Sequence, residues 1–359
     1  MAVSRINEAG LNVNQYGNRN VIINGAMKIA QRGTSFTGLG GSTGAVYTLD
    51  RFHTFDSATA GRATVTQDTS APDGFANSLK IACTTADTSV AAGEIFMLSQ
   101  RLEGQDLQQF AKGTSAAKEF TVSFYVKGNA AATYIVELVD TDNSRQCSKT
   151  FSVTTAWERI ELTFPADTTG QLDDDNARSF DLNIWLHAGS TYTSGTLNSS
   201  AFASTTNANR AVGGSSFFDS TSRTFFITGV QMEVGDTATD FEHRSFADEL
   251  VKCHRYCLVL DSGIVYGTYG FVGFAENSTT AKVIMSFPVH MRAAPSLTRS
   301  GSFTYDGASG NPTISSAGAV NTTYCSRIED TISGGTQGQG LILINNNDSD
   351  AKLTFDAEL

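Results

Sequence analysis

Charged side chains are scarce in this sequence, and no segment of it is strongly basic. Asp, Glu, Lys and Arg together make up 17% of the 359 residues, and the net charge is -11. Binding to phosphate backbones needs clustered Lys and Arg, so the sequence predicts that nucleic acid is not a partner. The low charge also disfavours long exposed helices, whose outer faces need Glu, Lys and Arg.

Long apolar runs and a regular cysteine framework are missing as well. Residues 1–19 contain no apolar segment of the kind that a secretory signal needs. No run approaches the ~20 apolar residues of a membrane-spanning helix. The five Cys are an odd number and widely scattered, which does not suit a set of disulfides. We therefore expect folding in a reducing cytoplasm, with no membrane insertion and no Sec-dependent export.

The sequence has instead a repeated alternation of apolar and polar residues, in a chain with 33 Gly and many Ser and Thr. Large apolar side chains occupy every second position in the segments Phe120, Val122, Phe124, Val126; Ile160, Leu162, Phe164; Phe180, Leu182, Ile184, Leu186; and Val230, Met232, Val234. A period of two predicts β-strands that cover a core with one face. The predicted fold class is therefore all-β, with a jelly-roll-like sandwich over residues 20–245.

The first 19 residues lack this period and are rich in Asn. They still contain Ile6, Leu11, Val13 and Tyr16, enough apolar surface to anchor on another protein. We interpret residues 1–19 as an attachment arm that becomes ordered on a partner.

Three further regions complete the predicted organisation. Residues 188–222 are rich in Ser, Thr, Gly, Asn and Ala, which predicts a long surface excursion from the sandwich. Residues 258–359 contain another alternating segment and late strand-like pieces, so we expect a second, smaller β domain there. Residues 246–257, between the two domains, are predicted to form a linking helix.

The stretch EHRSFADELVKCHRYC, residues 242–257, raises the question of a metal site because it groups two Cys with two His. Helical spacing puts Cys253 and Cys257 on one apolar face with Phe246 and Leu250. A tetrahedral zinc site needs four converging ligands, and no CxxC or HxxxH partner occurs elsewhere. The sequence therefore favours buried structural thiols, and it predicts neither a metal site nor a cofactor.

Catalytic motifs are absent from the sequence too. It has no nucleophile elbow, Walker loop or HExxH segment, and we predict no catalytic residues. Asp173, Asp174, Asp175 and Asn176 are oxygen ligands of the kind that Ca²⁺ prefers, but without a complete calcium-loop pattern a solvated acidic turn is the better interpretation. Glycosidase chemistry needs two convergent carboxylates, which spacing alone does not identify.

One predicted strand carries the candidate glycan-binding residues. Asp181, Asn183, Trp185 and His187 alternate with the apolar positions of SFDLNIWLHAG and share its other face. An indole beside carboxylate, amide and imidazole groups suits a sugar platform, on which the ring stacks while the polar groups bind hydroxyls. The alternative is that another subunit or sheet covers this face, where Trp is also favoured.

Several sequence blocks resemble virion structural proteins of tailed bacteriophages, particularly marine ones, among them tail fibre proteins. The blocks are NVIINGAMKIAQRGTS (residues 20–35), YTLDRF (47–52), GVQMEVGDTATDFEHRSFADELVKCHRYC (229–257) and FPVHMRAAPSLT (287–298). The resemblance implies a jelly-roll domain similar to carbohydrate-binding modules and a homotrimeric assembly. It brings no catalytic or metal-binding residues.

On this basis we expect a non-enzymatic virion protein, made in the host cytoplasm, whose arm attaches to other virion proteins and which binds a host surface glycan. A tail fibre or adhesin is the favoured interpretation. A capsid (head) decoration protein is the alternative, because the chain lacks the long repeats of a fibre shaft. A glycan depolymerase is the third and less favoured hypothesis.

Overall fold

The structure is a computed structural model of the chain, and it describes residues 18–307 and 310–359. In this part nearly all of the regular secondary structure is antiparallel strand, which confirms the predicted all-β fold class. The chain divides into two compact units. The first ends at Phe246 and also includes Leu359, and the second spans Ala247–Glu358.

The predicted attachment arm falls mostly outside the described residues. This holds for all four candidate anchor residues, Ile6, Leu11, Val13 and Tyr16. Arg19, the last residue of the predicted arm, is bound to the first unit. Its Nε donates a hydrogen bond to Thr239 Oγ1 at 2.7 Å and lies 3.6 Å from Glu233 Oε2. The described end of the predicted arm therefore belongs to the first unit.

The first unit is a sandwich of antiparallel sheets. Its strands are β1 (Ser35–Leu39), β2 (Gly44–Tyr47), β3 (His53–Ser57), β4 (Arg62–Asp68), β5 (Ser78–Thr85), β6 (Ile95–Glu103), β7 (Phe120–Gly128), β8 (Ala132–Asp140), β9 (Arg145–Val153), β10 (Glu158–Phe164), β11 (Arg178–Ala188), β12 (Ala203–Ser204) and β13 (Thr224–Val234). Within the described residues, the first sheet has the order β1-β4-β5-β13-β7-β10, and the second sheet has the order β12-β9-β8-β11-β6-β3-β2.

The core of the first unit lies between these sheets, because alternate side chains of both point inward. Strand β7 contributes Phe120, Val122, Phe124 and Val126, and strand β11 contributes Phe180, Leu182, Ile184 and Leu186. The Phe120 ring stacks between those of Phe110 and Phe180, with centroid distances of 4.2 and 5.3 Å. The alternation predicted for both strands is confirmed.

Three of the sequence blocks that carry the phage resemblance meet in this unit. Asn24 Nδ2 donates to the Asp50 carbonyl oxygen at 3.0 Å, and the Val230 amide donates to the Gly25 carbonyl at 2.9 Å. A Cβ at Gly25 would collide with the Val230 carbonyl oxygen. Asn24 has a φ of 60°, a left-handed conformation that Asn tolerates better than most residues. These blocks, which are distant in sequence, therefore contact one another in the folded unit.

Between β11 and β13 the chain crosses the outer face of the second sheet. We call residues 189–218 the crossing segment. It contains the short helix α1 (Ser190–Thr193) and a 3₁₀ turn at Asn207–Asn209, and a second 3₁₀ turn, Phe217–Asp219, begins at its end. Elsewhere in the unit, the 3₁₀ turn Gly104–Phe110 follows β6. The crossing segment is not the purely exposed excursion that its composition predicts, because Ala211 is 1% exposed. Apolar residues scattered among its Ser and Thr give it a buried side.

The second unit is β as well. After helix α2 (Phe246–His254) its strands are β14 (Cys257–Asp261), β15 (Thr268–Asn277), β16 (Thr280–Ser286), β17 (Ser296–Ser300), β18 (Phe303–Gly307), β19 (Thr313–Ser316), β20 (Ala319–Asn321), β21 (Cys325–Ser333), β22 (Gly340–Asn345) and β23 (Lys352–Asp356). Among the described residues, they form a small sheet β14-β23-β17 and a larger one, β18-β22-β15-β16-β21-β19, with β20 beside β21. No helix in the described part of the chain is long and apolar enough to cross a bilayer.

The linking helix is shorter than predicted. It ends at His254, and Cys257 instead begins β14, where it pairs with Asp356 of β23. The predicted range of 246–257 was wrong because pairing of the backbone with a distant strand prevails over helical spacing. Phe246, predicted on the buried face, is 58% exposed. Cys253 and Cys257 are buried, as predicted.

Candidate functional site

The outer face of the second sheet carries side chains in cross-strand rows. Strands β3, β6, β11 and β8 are neighbours in this sheet, so residues in register stand side by side. The polar row consists of His53, Ser99, Asn183 and Glu137. The apolar row consists of Phe55, Met97, Trp185 and Ile135. On the other side of the polar row lie Arg101, Asp181 and Val139.

The crossing segment covers the apolar row. Trp185 is only 2% exposed, and its ring centroid lies 5.3 Å from that of Tyr192. The Arg210 guanidinium lies over the indole, 5.0 Å from the ring centroid. Trp185 is therefore not an exposed platform. Its cover belongs to the same chain, whereas the sequence had suggested a ligand, another subunit or another sheet.

Glu137 of the polar row holds the crossing segment in place over the apolar row. The fully buried carboxylate accepts hydrogen bonds from Trp185 Nε1 at 2.8 Å and from Arg210 Nε at 2.7 Å. Burial acts to lower the pKa of Arg210, but the charge of Glu137 and the hydrogen bonds to it together outweigh burial and raise that pKa. An ion pair thus joins the crossing segment to β8.

The prediction that four glycan-binding residues share one face is wrong for His187, because the strand register shifts after Trp185. His187 pairs with Phe96, which points into the core between the sheets. Asp181 and Asn183 line an open cleft, and Trp185 lies beneath the crossing segment. His187, 1% exposed, is bound elsewhere, with Nε2 2.7 Å from a carboxylate oxygen of Glu94. Whether any of the four binds a glycan stays a prediction.

The cleft has a volume of about 450 Å³ and lies over the polar row. Its lining includes His53, Ser99, Asp181, Asn183, Phe55 and Tyr192, with Arg178, Arg210 and Thr205 among the residues around them. Strands β3, β6 and β11 supply most of the floor, Val139 of β8 extends it, and the crossing segment supplies one side. The site is therefore assembled from four strands and a long connection.

Two side chains of the floor end in polar atoms without a protein partner. His53 Nδ1 and Ser99 Oγ make no hydrogen bond, although their side chains are only 2% and 3% exposed. An unsatisfied buried donor or acceptor costs about 1–3 kcal/mol. A ligand that supplies a partner to both atoms recovers this free energy on binding.

The polar groups of the floor are neutral or paired. Burial lowers the pKa of His53 well below its ordinary value, and the Arg101 and Arg51 guanidinium groups lower it further. The imidazole is therefore uncharged at neutral pH and offers one donor and one acceptor. Asp181 accepts a hydrogen bond from Arg178 Nε at 2.8 Å, and this contact raises the pKa of Arg178. Such a floor suits a ligand rich in hydroxyl groups.

Sequence reasoning missed His53 and Ser99. The alternation in IFMLSQRLE, residues 95–103, was a usable signal, because it places Ser99 on the face opposite Leu98. The sequence does not show that β3, β6 and β11 are neighbours. The acidic segment from Asp173 to Asn176 is exposed between β10 and β11, away from the lining of the cleft.

No protein-family model and no curated protein matches the chain. Among solved structures, it is similar to the enzymatically active domain of tailspike protein 4 of bacteriophage CBA120, with 11% identity over 60% of this chain and 21% of that one, at a TM-score of 0.31. It is also similar to the family 11 carbohydrate-binding module of cellulase Lic26A-Cel5E of Clostridium thermocellum, with 12% identity over 57% and 97% of the two chains and a TM-score of 0.29.

A third similar structure is TmCBM61 in complex with beta-1,4-galactotriose, with 10% identity over 60% of this chain and 99% of that one, and a TM-score of 0.31. At these identities and TM-scores, the similarities imply nothing about the ligand of this chain.

Proposed function

We propose that the first unit is a saccharide-binding module and that the cleft over the polar row is its site. The observation that carries the proposal is the pair of buried, unpartnered atoms, His53 Nδ1 and Ser99 Oγ, on the floor of an open cleft. Sugar hydroxyl groups both donate and accept hydrogen bonds, so they complement a neutral imidazole and a serine hydroxyl. The half-buried rings of Phe55 and Tyr192 add apolar surface for sugar C–H groups.

This proposal assigns different roles to the four residues predicted from the sequence. Asp181 and Asn183 contact the sugar from the floor. Trp185 supports the crossing segment, which forms one side of the cleft, and so acts on the ligand only through Tyr192 and Arg210. His187 takes no part in sugar binding.

For the whole chain we propose a phage virion protein, a tail fibre or adhesin, that attaches to a host surface glycan without catalysis. The sequence blocks quoted above support this role. In the same proposal the chain is a homotrimer that is attached to the virion through its N-terminal arm.

A surface of the second unit supports self-association. Val272, Ile284 and Ile342 are cross-strand neighbours on β15, β16 and β22, and they are 59%, 52% and 38% exposed. Phe274 extends the patch and is 47% exposed. Contiguous apolar surface of this kind is typical of interaction sites. We expect Ile284→Lys to lower the mass measured by analytical ultracentrifugation, and Val90→Lys, at an exposed site of the first unit, to leave it unchanged. A wild-type monomer contradicts the trimer.

The cleft is tested by calorimetry with oligosaccharides from the capsule and lipopolysaccharide of candidate hosts. Ser99→Ala removes one partner of the ligand and leaves no new unsatisfied group, so we expect it to fold normally and to bind about tenfold more weakly. Thr54→Val is the matched control. Thr54 is fully buried on the opposite face of β3, and its hydroxyl also lacks a partner. Equal affinity of Ser99→Ala and wild type contradicts the assignment of the cleft.

Two further measurements separate the alternatives for the whole chain. Reducing sugar ends released from the bound polysaccharide would identify a depolymerase, and we expect none. Immunogold labelling of virions is expected on the tail, and label on the capsid would identify a head decoration protein.

A further inference from the structure

A second cluster of polar side chains lies outside the lining of the cleft. Asp87, Glu94 and His187 place two carboxylate groups and one imidazole together, with one possible ligand atom of each within 4.8 Å of the others. The three residues are 5%, 3% and 1% exposed. We propose that this cluster binds one divalent transition-metal ion, for which Zn²⁺ is the best-suited candidate. This site is independent of the proposed saccharide site.

The ligands come from three parts of the chain. Asp87 follows β5, Glu94 immediately precedes β6, and His187 is the next-to-last residue of β11. Backbone hydrogen bonds hold these parts in place: the Asp87 amide donates to the Phe218 carbonyl, and the Gly189 amide donates to the Glu94 carbonyl, both at 2.8 Å. The ligand atoms are thus positioned by the fold.

The imidazole has the environment of a metal ligand. His187 Nδ1 lies 2.8 Å from Ser216 Oγ, and Nε2 lies 2.7 Å from Glu94 Oε2. When Nδ1 carries the proton and donates it to Ser216, Nε2 directs its lone pair toward the carboxylates. A His that binds a metal is held in this way through its second ring nitrogen. A cation between Nε2 and the carboxylate oxygens removes the repulsion between their lone pairs.

The carboxylates also favour a cation. Asp87 Oδ2 accepts hydrogen bonds from the Ala60 amide at 2.7 Å and the Thr59 hydroxyl at 3.1 Å. Glu94 Oε1 accepts a hydrogen bond from the Ala91 amide at 2.8 Å. Each carboxylate thus has one oxygen held by backbone or hydroxyl donors, and both side chains are almost fully buried. Neighbouring buried carboxylates are stabilised by a positive charge between them, which a divalent ion supplies.

The ligand types select the metal. Imidazole nitrogen is a common ligand of Zn²⁺, whereas Ca²⁺ and Mg²⁺ prefer oxygen ligands alone. Zinc binds nitrogen and oxygen ligands at about 2.0–2.2 Å, so the ligand atoms of one ion lie roughly 3–4 Å apart. The candidate ligand atoms of the cluster, which lie within 4.8 Å of one another, are near this separation. A bound ion would fasten residues 86–94 to β11 and, through Ser216, to the crossing segment.

The test is the metal content of the full chain after equilibration with ZnCl₂, MnCl₂ or CaCl₂ and gel filtration. It is made in a Cys325→Ser background, because Cys325 is the one thiol that is not buried and it can take up zinc by itself. We expect one Zn²⁺ per chain, little Ca²⁺, and a melting temperature that falls when a chelator removes the zinc.

Variants locate the ion. Asp87→Asn and His187→Gln are expected to bind Zn²⁺ at least about tenfold more weakly while keeping the circular dichroism of a folded β protein. Glu94→Gln replaces either variant if that variant does not fold. His243→Gln is the control, because His243 contacts only the rings of Phe75 and Phe241 among the described aromatic residues, and it should retain the ion.

Three results overturn the proposal. If no Zn²⁺ is retained and the melting temperature is unchanged, the cluster is a hydrogen-bonded His–Glu pair beside a carboxylate. If the ligand variants retain as much Zn²⁺ as His243→Gln, the ion binds elsewhere. If Ca²⁺ is retained in preference to Zn²⁺, the imidazole is not a ligand.

Discussion

His53 and Ser99 stand directly opposite each other on β3 and β6, and each ends in a buried polar atom without a protein partner. Glu137 on the same face is paired with Arg210. Arg101 Nε in the lining of the cleft and Gln146 Nε2 on β9, however, also lack a partner among the described residues. His53 and Ser99 differ from these in sharing one register position on the floor of the cleft. Energetically costly groups of this kind cluster at functional sites. This pair is the strongest reason to place a ligand there.

The neutral His53 makes the stability of the first unit dependent on pH. Because its pKa is lowered in the fold, the unfolded chain takes up a proton below about pH 6.5 while the folded chain does not. Stability therefore falls as the pH drops below 6.5 toward the lowered pKa, by up to about 1.4 kcal/mol per pH unit.

This dependence is measured by urea unfolding between pH 7.5 and 5, followed by fluorescence, since both Trp lie in the first unit. The slope should be smaller in His53→Gln. The exposed His290 of the second unit provides the control, and His290→Gln should keep the wild-type slope. An unchanged slope in His53→Gln would show that this imidazole is not held neutral.

Removal of Arg210 should loosen the crossing segment. Arg210→Met leaves the fully buried Glu137 carboxylate without its cation, which costs about 3–5 kcal/mol in the free energy of unfolding. Arg223→Met is the comparison, because its partner Asp219 is 44% exposed and such pairs contribute less than about 1 kcal/mol. Chemical denaturation measures both, and equal losses would contradict the role given to Glu137.

Truncation of Trp185 tests whether its ring is core or platform. The side chain is 2% exposed, so Trp185→Ala should lower the free energy of unfolding by about 3–5 kcal/mol. Trp157→Ala, at a half-buried ring in edge contact with Phe226, should cost less. Thermal unfolding followed by circular dichroism compares them. If the Trp185→Ala chain is as stable as wild type, the ring is not core, and the hypothesis of an exposed sugar platform is favoured instead.

Lys112 neutralises buried carboxylates and is expected to protect the fold against acid. Its side chain is 1% exposed, and its Nζ contacts Asp140 and lies 3.1 Å from Asp167 Oδ2. Burial acts to raise the pKa of Asp167, but the hydrogen bond from Arg145 and the contacts with Lys112 outweigh it and lower that pKa. A lowered carboxylate pKa contributes stability above about pH 3.8, which is lost as the pH falls through the folded-state pKa.

Lys112→Met should therefore cost about 3–5 kcal/mol at pH 7 and move acid unfolding to a higher pH. Lys80→Met is the control, because the Lys80–Asp68 pair is 3.5 Å long and both side chains are partly exposed. Acid unfolding followed by circular dichroism measures the pH midpoint of each variant. Identical midpoints for Lys112→Met and Lys80→Met would mean that Lys112 does not stabilise the carboxylates.

Local patterns in the sequence determined the strands and the side of each strand that is buried. Alternation placed Phe120 and Phe180 in the core, and the same period placed Asp181, Asn183 and Trp185 together on the opposite face. Alternation is reliable within a regular strand, because neighbouring side chains point to opposite faces. It failed for His187, because the register shifts after Trp185.

The tertiary structure decided which strands are neighbours and what covers them. The pairing of β3 with β6 and of β6 with β11 brings His53, Ser99 and Asn183 into one row, and the fold also gathers Asp87, Glu94 and His187 from separate segments. Trp185 became core because the crossing segment lies over it, and Cys257 left the helix because β23 supplies backbone partners. Such contacts depend on hydrogen bonds and burial between distant parts of the chain. The hydrophobic period of a single segment carries no information about which distant segment it will contact.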